Sequence, residues 1–234
     1  VFIKMFGAVM LLLYAVRMVR TGFERAAGPT LRRAIGKASS GPVAGALSGT
    51  AVAILLQSAT AVAILAAGFA TSGFISTAAG LAVLLGADLG SALVVQFLVF
   101  DLSWLVPLLL GGGAWLFLKL DARSAKQIGR ILLGIAFILI ALQMIGEATT
   151  PLKEARFMPQ FAGFLAQDTP TAMAVGALLA FLVHSSVAAV LMIAALVQKT
   201  GLPHEAAIPL VLGANIGAGI VALWLTRGMD RKAK

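Results

Sequence analysis

The sequence predicts an all-α fold: a polytopic helical membrane protein with two inverted repeats, each containing a re-entrant helical hairpin. Three observations predict it. They are apolar runs of membrane-crossing length, self-similarity at one constant offset, and basic residues gathered on one side. Of 234 residues, 60% are hydrophobic and 12% charged, about half the charge of a soluble domain. Mean hydropathy is +1.01. A bilayer core takes roughly 20 residues as helix. A β-barrel is excluded, because no period-2 alternation is sustained. The net charge of +9 sits at the ends of the apolar runs, so it points to a lipid bilayer and not to nucleic acid. The chain has no Cys, which removes thiol and disulfide chemistry. No acid/base pair, metal cluster or activated nucleophile appears, so an enzyme is not expected. A start at Val1 reads as a piece of a longer chain, and the first apolar run shows no A-x-A-type cleavage site.

The elements follow in order. Phe2–Arg20 is one span, and the basic amphipathic run Arg17–Lys37 reads as a surface helix touching anionic headgroups. Pro42–Ser72 is too long for one straight span and too short for two spans with a loop. Its polar centre, in "LLQSATAVAIL", fits a hairpin that enters, turns and leaves on the same side. Backbone of that kind is tolerated at membrane depth only against protein or a water-filled cavity. Ile75–Phe100 and Trp104–Leu118 complete the first half. The second half offers Ile131–Gly146, Thr171–Val197 and Ala206–Leu225.

The two halves align at an offset of 127 residues: Gly7 falls on Gly134, Gln57 on His184, Ser58 on Ser185, and "GADLG" (Gly86–Gly90) on "GANIG" (Gly213–Gly217). Such duplication is the pattern of secondary transporters. The expected division is 1–127, with a hairpin at about 42–72, and 128–234, with a hairpin at about 171–200. If the first hairpin does not cross, the basic groups within 17–37, 119–130 and 227–234 share one side, leaving Lys4, Lys153, Arg156 and Lys199 on the other. If it crosses, the bias is largely lost. The positive-inside rule therefore favours re-entrant hairpins, inverted halves and a cytoplasmic basic side.

Polar groups at membrane depth need partners. At a hairpin tip the outgoing helix presents free N–H groups and a positive dipole end. Ser58 and Thr60 at one tip, facing Ser185 and Ser186 at the other, would form an anion site without any Arg. Carbonyls ending the incoming helix, with the Gln57 amide oxygen, suit Na⁺. The alternatives are hydroxyls bonded back to helix carbonyls and a His184 satisfied by a backbone carbonyl. Asp88 lies well inside a span, which makes it a functional candidate by default. Its alternatives are a salt link or a place near the span's outer end. Asn215 is a weaker, neutral candidate, and Gln96, Gln143 and Glu147 read as interfacial.

"QSAT" with "GADLG", then "HSSVA" with "GANIG", resemble the bacterial branch of the type II sodium/phosphate cotransporter family. That family carries a QSSS-type and a GANIGT-type motif in each of two inverted repeats. The likeness runs from about Gly7 to Val221 and is most specific in "GTAVAILLQSATAVAIL" and "VLGANIGAGIVAL". It implies import of inorganic phosphate with Na⁺ by alternating access, in the bacterial inner membrane, and a PhoU-like regulatory protein as partner. It also implies a site of Gln57, Ser58, Thr60, Ser185 and Ser186, with Asn215 nearby. Ala59, His184, Val187 and Asp88 depart from the pattern. Asp88 could add a cation or carry a proton, so Na⁺ ligands are expected among Gln57, Ser58, Ser185 and Asp88. The rivals are a proton-coupled or altered-anion carrier of the same fold, and a non-transporting membrane partner in phosphate signalling.

Overall fold

The computed structural model describes residues 2–36, 41–100, 102–153, 158–200 and 202–226, and all its elements are helical. They are α1 (Phe2–Gly36), α2 (Pro42–Leu56), α3 (Ala59–Thr71), α4 (Thr77–Val99), α5 (Val106–Lys119, entered through a 3₁₀ turn at Ser103–Leu105), α6 (Arg123–Lys153), α7 (Met158–Gln167), α8 (Thr169–Val183), α9 (Ser186–Thr200) and α10 (His204–Thr226). Local chemistry sets several starts. Pro42 stands in the first turn of α2, where a missing N–H costs nothing. Ser76 caps α4 by accepting from the Ala79 N–H. Four helices (α1, α4, α6 and α10) contain stretches long and apolar enough to cross a membrane.

Neighbouring glycines give the directions. Gly45 and Gly49 of α2 lie against Ala82 and Val83 of α4, and Gly86 and Gly90 of α4 lie against Ala46 and Thr50. Numbers rise together, so α2 and α4 are parallel. The turn after α3 folds it back onto α4, with Phe69 and Phe74 in edge contact. Thus α3 opposes α4, and α2–α3 is a hairpin whose two ends share one side. In the second half, Met173 and Ala177 of α8 meet Gly213 and Gly217 of α10, again in parallel. The equivalent elements keep the sequence offset: Pro42–Leu56 with Thr169–Val183, and Thr77–Val99 with His204–Thr226.

Inversion follows from α1 and α6, which correspond in the repeat. Gly22 meets Ile131 while Gly134 meets Val19, so these two helices are antiparallel. α5 is also antiparallel to α6, with Gly113 against Leu133 and Gly129 against Phe117. The C-terminal half of α1, the end of α5 and the start of α6 therefore share a side, and bring Arg17, Arg20, Arg25, Lys119, Arg123, Lys126 and Arg130 there. The central core joins the halves: Leu12 of α1, Ile138 and Ile145 of α6 and Leu191 of α9 are fully buried in it. Each hairpin's returning helix also reaches across, α3 onto α10 and α9 onto α4.

Several details differ from expectation. The basic run does not form a separate surface helix, because α1 continues unbroken to Gly36; Lys37 and the basic residues 227–234 lie outside the described residues. The Trp104–Leu118 region is shorter than a usual span, Ser103–Lys119 in all. It still has to return the chain across, since α4 ends on the side opposite the start of α6. Sequence reading gave no element to 158–167. There α7 meets α8 at 106°. Asp168 makes that corner: its carboxylate accepts from the Thr171 N–H and, at 2.6 Å, from the Thr171 hydroxyl. An Asp-Thr-Pro start is a capping signature legible in the sequence.

Candidate functional site

Both hairpin tips break the helix in the same way. Among the described residues, Gln57 (φ 50°) and His184 (φ 53°) are the only non-glycine residues with positive φ. They are the pair that the sequence offset aligns. A left-handed conformation costs a side-chain-bearing residue about 1–2 kcal/mol. Two such residues at equivalent tips are a strain concentrated where backbone groups are freed.

The serine after each strained residue starts the outgoing helix. Ser58 Oγ accepts from the Ala61 N–H at 3.1 Å, and Ser185 Oγ accepts from the Ala188 N–H at 3.2 Å. Their carbonyls accept from the Val62 and Ala189 N–H groups. These hydroxyls are therefore caps, and they do not bond back to helix carbonyls. A capping hydroxyl uses a lone pair and keeps its proton to donate. Capping and anion donation are compatible at one serine.

The side chains at the two strained positions differ. Gln57 is buried, and its Oε1 has no hydrogen-bond partner among the described residues. An orphaned buried carbonyl is costly unless something fills it; a cation fits that oxygen. His184 departs from expectation. It is exposed and not buried at midplane, it stacks on Phe181 at 6.0 Å between centroids, and Nδ1 lies 3.2 Å from the Leu182 carbonyl. Phe181 in turn stacks on Trp224 near the end of α10. With α8 parallel to α10, that stack carries the tip past the glycine motif, beyond the middle of the span. Thr60 sits half-exposed in the first turn of α3.

A cavity of about 130 Å³ opens where α4, α9 and α10 meet. It gathers Asp88, Asn215 and Ser186. Asp88 and Asn215 are equivalent in the two repeats, and both are exposed to the cavity mouth from unbroken helices. Gln57, Ser58, Thr60, His184 and Ser185 do not line it. Gln96, expected to be interfacial, lines it instead, together with Ser91, which the sequence analysis did not single out. The signal was available, since three and eight residues beyond Asp88 lie on its helix face. The glycines of the two motifs thin the helices without breaking them. Gly86 and Gly213 lie against the backbones of Ala46 and Met173, Gly90 and Gly217 against those of Thr50 and Ala177. Thr50 Oγ1 bonds across the first contact to the Gly86 carbonyl at 2.9 Å.

The Na⁺/Pi-cotransporter family model matches residues 11–147 and 154–232. The chain is 35% identical over 94% of its length to the "Putative inorganic phosphate export protein YjbB" of Escherichia coli K12, covering 41% of that protein. Identity and coverage are the same for its namesake in Salmonella typhimurium LT2. Similarity to the uncharacterized protein YqeW of Bacillus subtilis is 25% over 72% of the chain and 55% of that protein. The chain thus spans under half the length of the YjbB proteins. No solved structure matches significantly. Bacterial relatives together with membrane-crossing helices place it in the bacterial inner membrane as a multi-pass protein. The relatives' name overturns the inward direction expected above. The physical reason is that a residue pattern carries no direction, since a binding site reads the same from either side.

Proposed function

Because the chain belongs to the Na⁺/Pi-cotransporter family, we propose that it carries inorganic phosphate across the inner membrane in the outward direction. The observation that carries this is the pair of equivalent tips, each a left-handed residue followed by a capping serine with a hydroxyl proton to donate. Helix N-terminal N–H groups and hydroxyls bind an oxyanion without fixed positive charge. The name of the 35%-identical relatives supports the substrate and the direction. So does electrostatics. A site without a fixed cation moves phosphate as net negative charge, and an inside-negative potential drives each such charge outward by about 2.3 kcal/mol per 100 mV.

We assign 1–127 and 128–234 to the two repeats and Gln57, Ser58, Thr60, Ser185, Ser186 and Asn215 to the phosphate path. His184 caps the second tip's incoming helix with its strained backbone. The orphaned Gln57 oxygen supports a cation at the first tip, and Asp88, in the separate cavity between α4, α9 and α10, is a second, acidic candidate ligand. Each Na⁺ travelling with phosphate would cancel part of the charge that the potential acts on, so cation stoichiometry governs direction. The test is efflux of labelled phosphate from loaded proteoliposomes under an imposed potential of either sign. Efflux that speeds when the inside is negative supports the reading. Rates equal to protein-free liposomes at both signs would end it.

A further inference from the structure

We infer that the cleft between α1, α5 and α6 on the basic side binds an anionic phospholipid, whose headgroup is held by Arg25 and Arg130 at the mouth and drawn in by Arg17 deeper along α1. The cleft measures about 440 Å³ and takes walls from all three helices. None of them carries a hairpin tip, so the site is separate from the phosphate path. Its three guanidinium groups have no carboxylate partner among the described residues. The two ion pairs there, Arg20 with Glu24 and Lys126 with Asp121, use other groups. Arg130 donates to the neutral Gln127 at 3.2 Å and lies 5.8 Å over the Phe117 ring. Three like charges sharing a cleft repel one another until an anion enters.

The polarity gradient selects the anion. Arg130 stands toward the basic end of α6, and Leu133 and Phe137 follow it into the membrane on the same wall. Phe137 lies about 10 Å deeper at 1.5 Å per residue. With Gly22 against Ile131 and Val19 against Gly134, Arg25 stands at the mouth beside Arg130 and Arg17 lies deeper, level with Phe137, so the headgroup sits at the mouth and the acyl chain runs inward past Leu133 and Phe137. Free phosphate would leave the apolar floor unused. Tyr14 and Arg17 are exposed, so the cleft opens sideways, where a lipid can enter. Basic clefts between membrane helices on the cytoplasmic side suit anionic headgroups on general grounds.

The test is native mass spectrometry of the purified chain with phosphatidylglycerol, cardiolipin or phosphatidylethanolamine added. The two anionic lipids should be retained over phosphatidylethanolamine. Arg17→Gln with Arg130→Gln should weaken their retention by about 25-fold, roughly fivefold for each charge removed. Lys119→Gln with Arg123→Gln, which removes equal charge from the same side outside the cleft, should leave it unchanged. Should the first double variant fail to fold, Arg25→Gln alone, at an exposed side chain, should lose about fivefold. Equal losses in the control would mean diffuse surface charge and overturn the site. Displacement of the lipid by millimolar inorganic phosphate would also overturn it, making the cleft a free-phosphate site.

Discussion

At the scale of the residue, the tips separate fold from function in a testable way. Gln57 pays for its side chain with a left-handed backbone, which glycine adopts freely. Gln57→Gly should therefore hold thermal stability level or raise it, while cation-dependent phosphate efflux falls. Loss of stability together with activity would make Gln57 a structural residue. Ser58→Ala and Ser185→Ala each remove a cap, about 1 kcal/mol. They should also weaken phosphate binding by roughly 1.5–3 kcal/mol, one hydrogen bond to a charged group. Isothermal titration reads the second loss, and unchanged affinity in both variants would leave the serines as caps only. Asp88→Asn restores the symmetry with Asn215, and it should alter the Na⁺ or pH dependence of efflux and leave the tips intact. The Gln57–His184 and Ser58–Ser185 pairs were legible in the sequence, because a polar group in an apolar run stands out. That His184 would be exposed against Phe181 was not legible, since it depends on where α10 places Trp224.

At the scale of the element, the glycines decide the geometry. Gly49, Gly86, Gly176 and Gly213 each face the backbone of the opposing helix, at Val83, Ala46, Leu210 and Met173. A methyl group there must push two helices apart. Gly86→Ala or Gly213→Ala should destabilise the fold by about 1–3 kcal/mol or more, read as a lower unfolding midpoint in detergent. Gly111→Ala, with open space around it, should not. Unequal behaviour of Gly86 and Gly213 would break the structural equivalence of the repeats. Glycines inside an apolar run are compatible with either a broken or a thinned helix, and the sequence pattern admits both. It could not choose, because thinning needs the partner helix in register, and the register between α2 and α4 appears only in three dimensions. The right-angle corner at Asp168 was legible in principle, but its short apolar helix has no long period to announce it.

At the scale of the whole molecule, inversion came through clearly in sequence because two independent signals agreed, one from self-similarity and one from charge. Cysteines are easily placed, as the chain has none of its own. Val43→Cys and Ser72→Cys, at the two ends of the first hairpin, should label from the same side. Labelling from opposite sides would remove the re-entrant fold. The direction of transport was not legible, because no residue pattern encodes a gradient. One feature of the packing bears on how such a molecule moves. The glycine contacts weld α2 to α4 and α8 to α10, backbone against backbone, into two stiff jaws. Between the jaws, α9 meets α4 and α3 meets α10, and a cavity opens where α4, α9 and α10 meet. Relative motion of the jaws would shear those two seams. A disulfide within one jaw, Gly45→Cys with Ala82→Cys, should leave turnover running. A short thiol linker across a seam, from Val95→Cys to Val190→Cys, should jam it, and reduction of the linker should free it again.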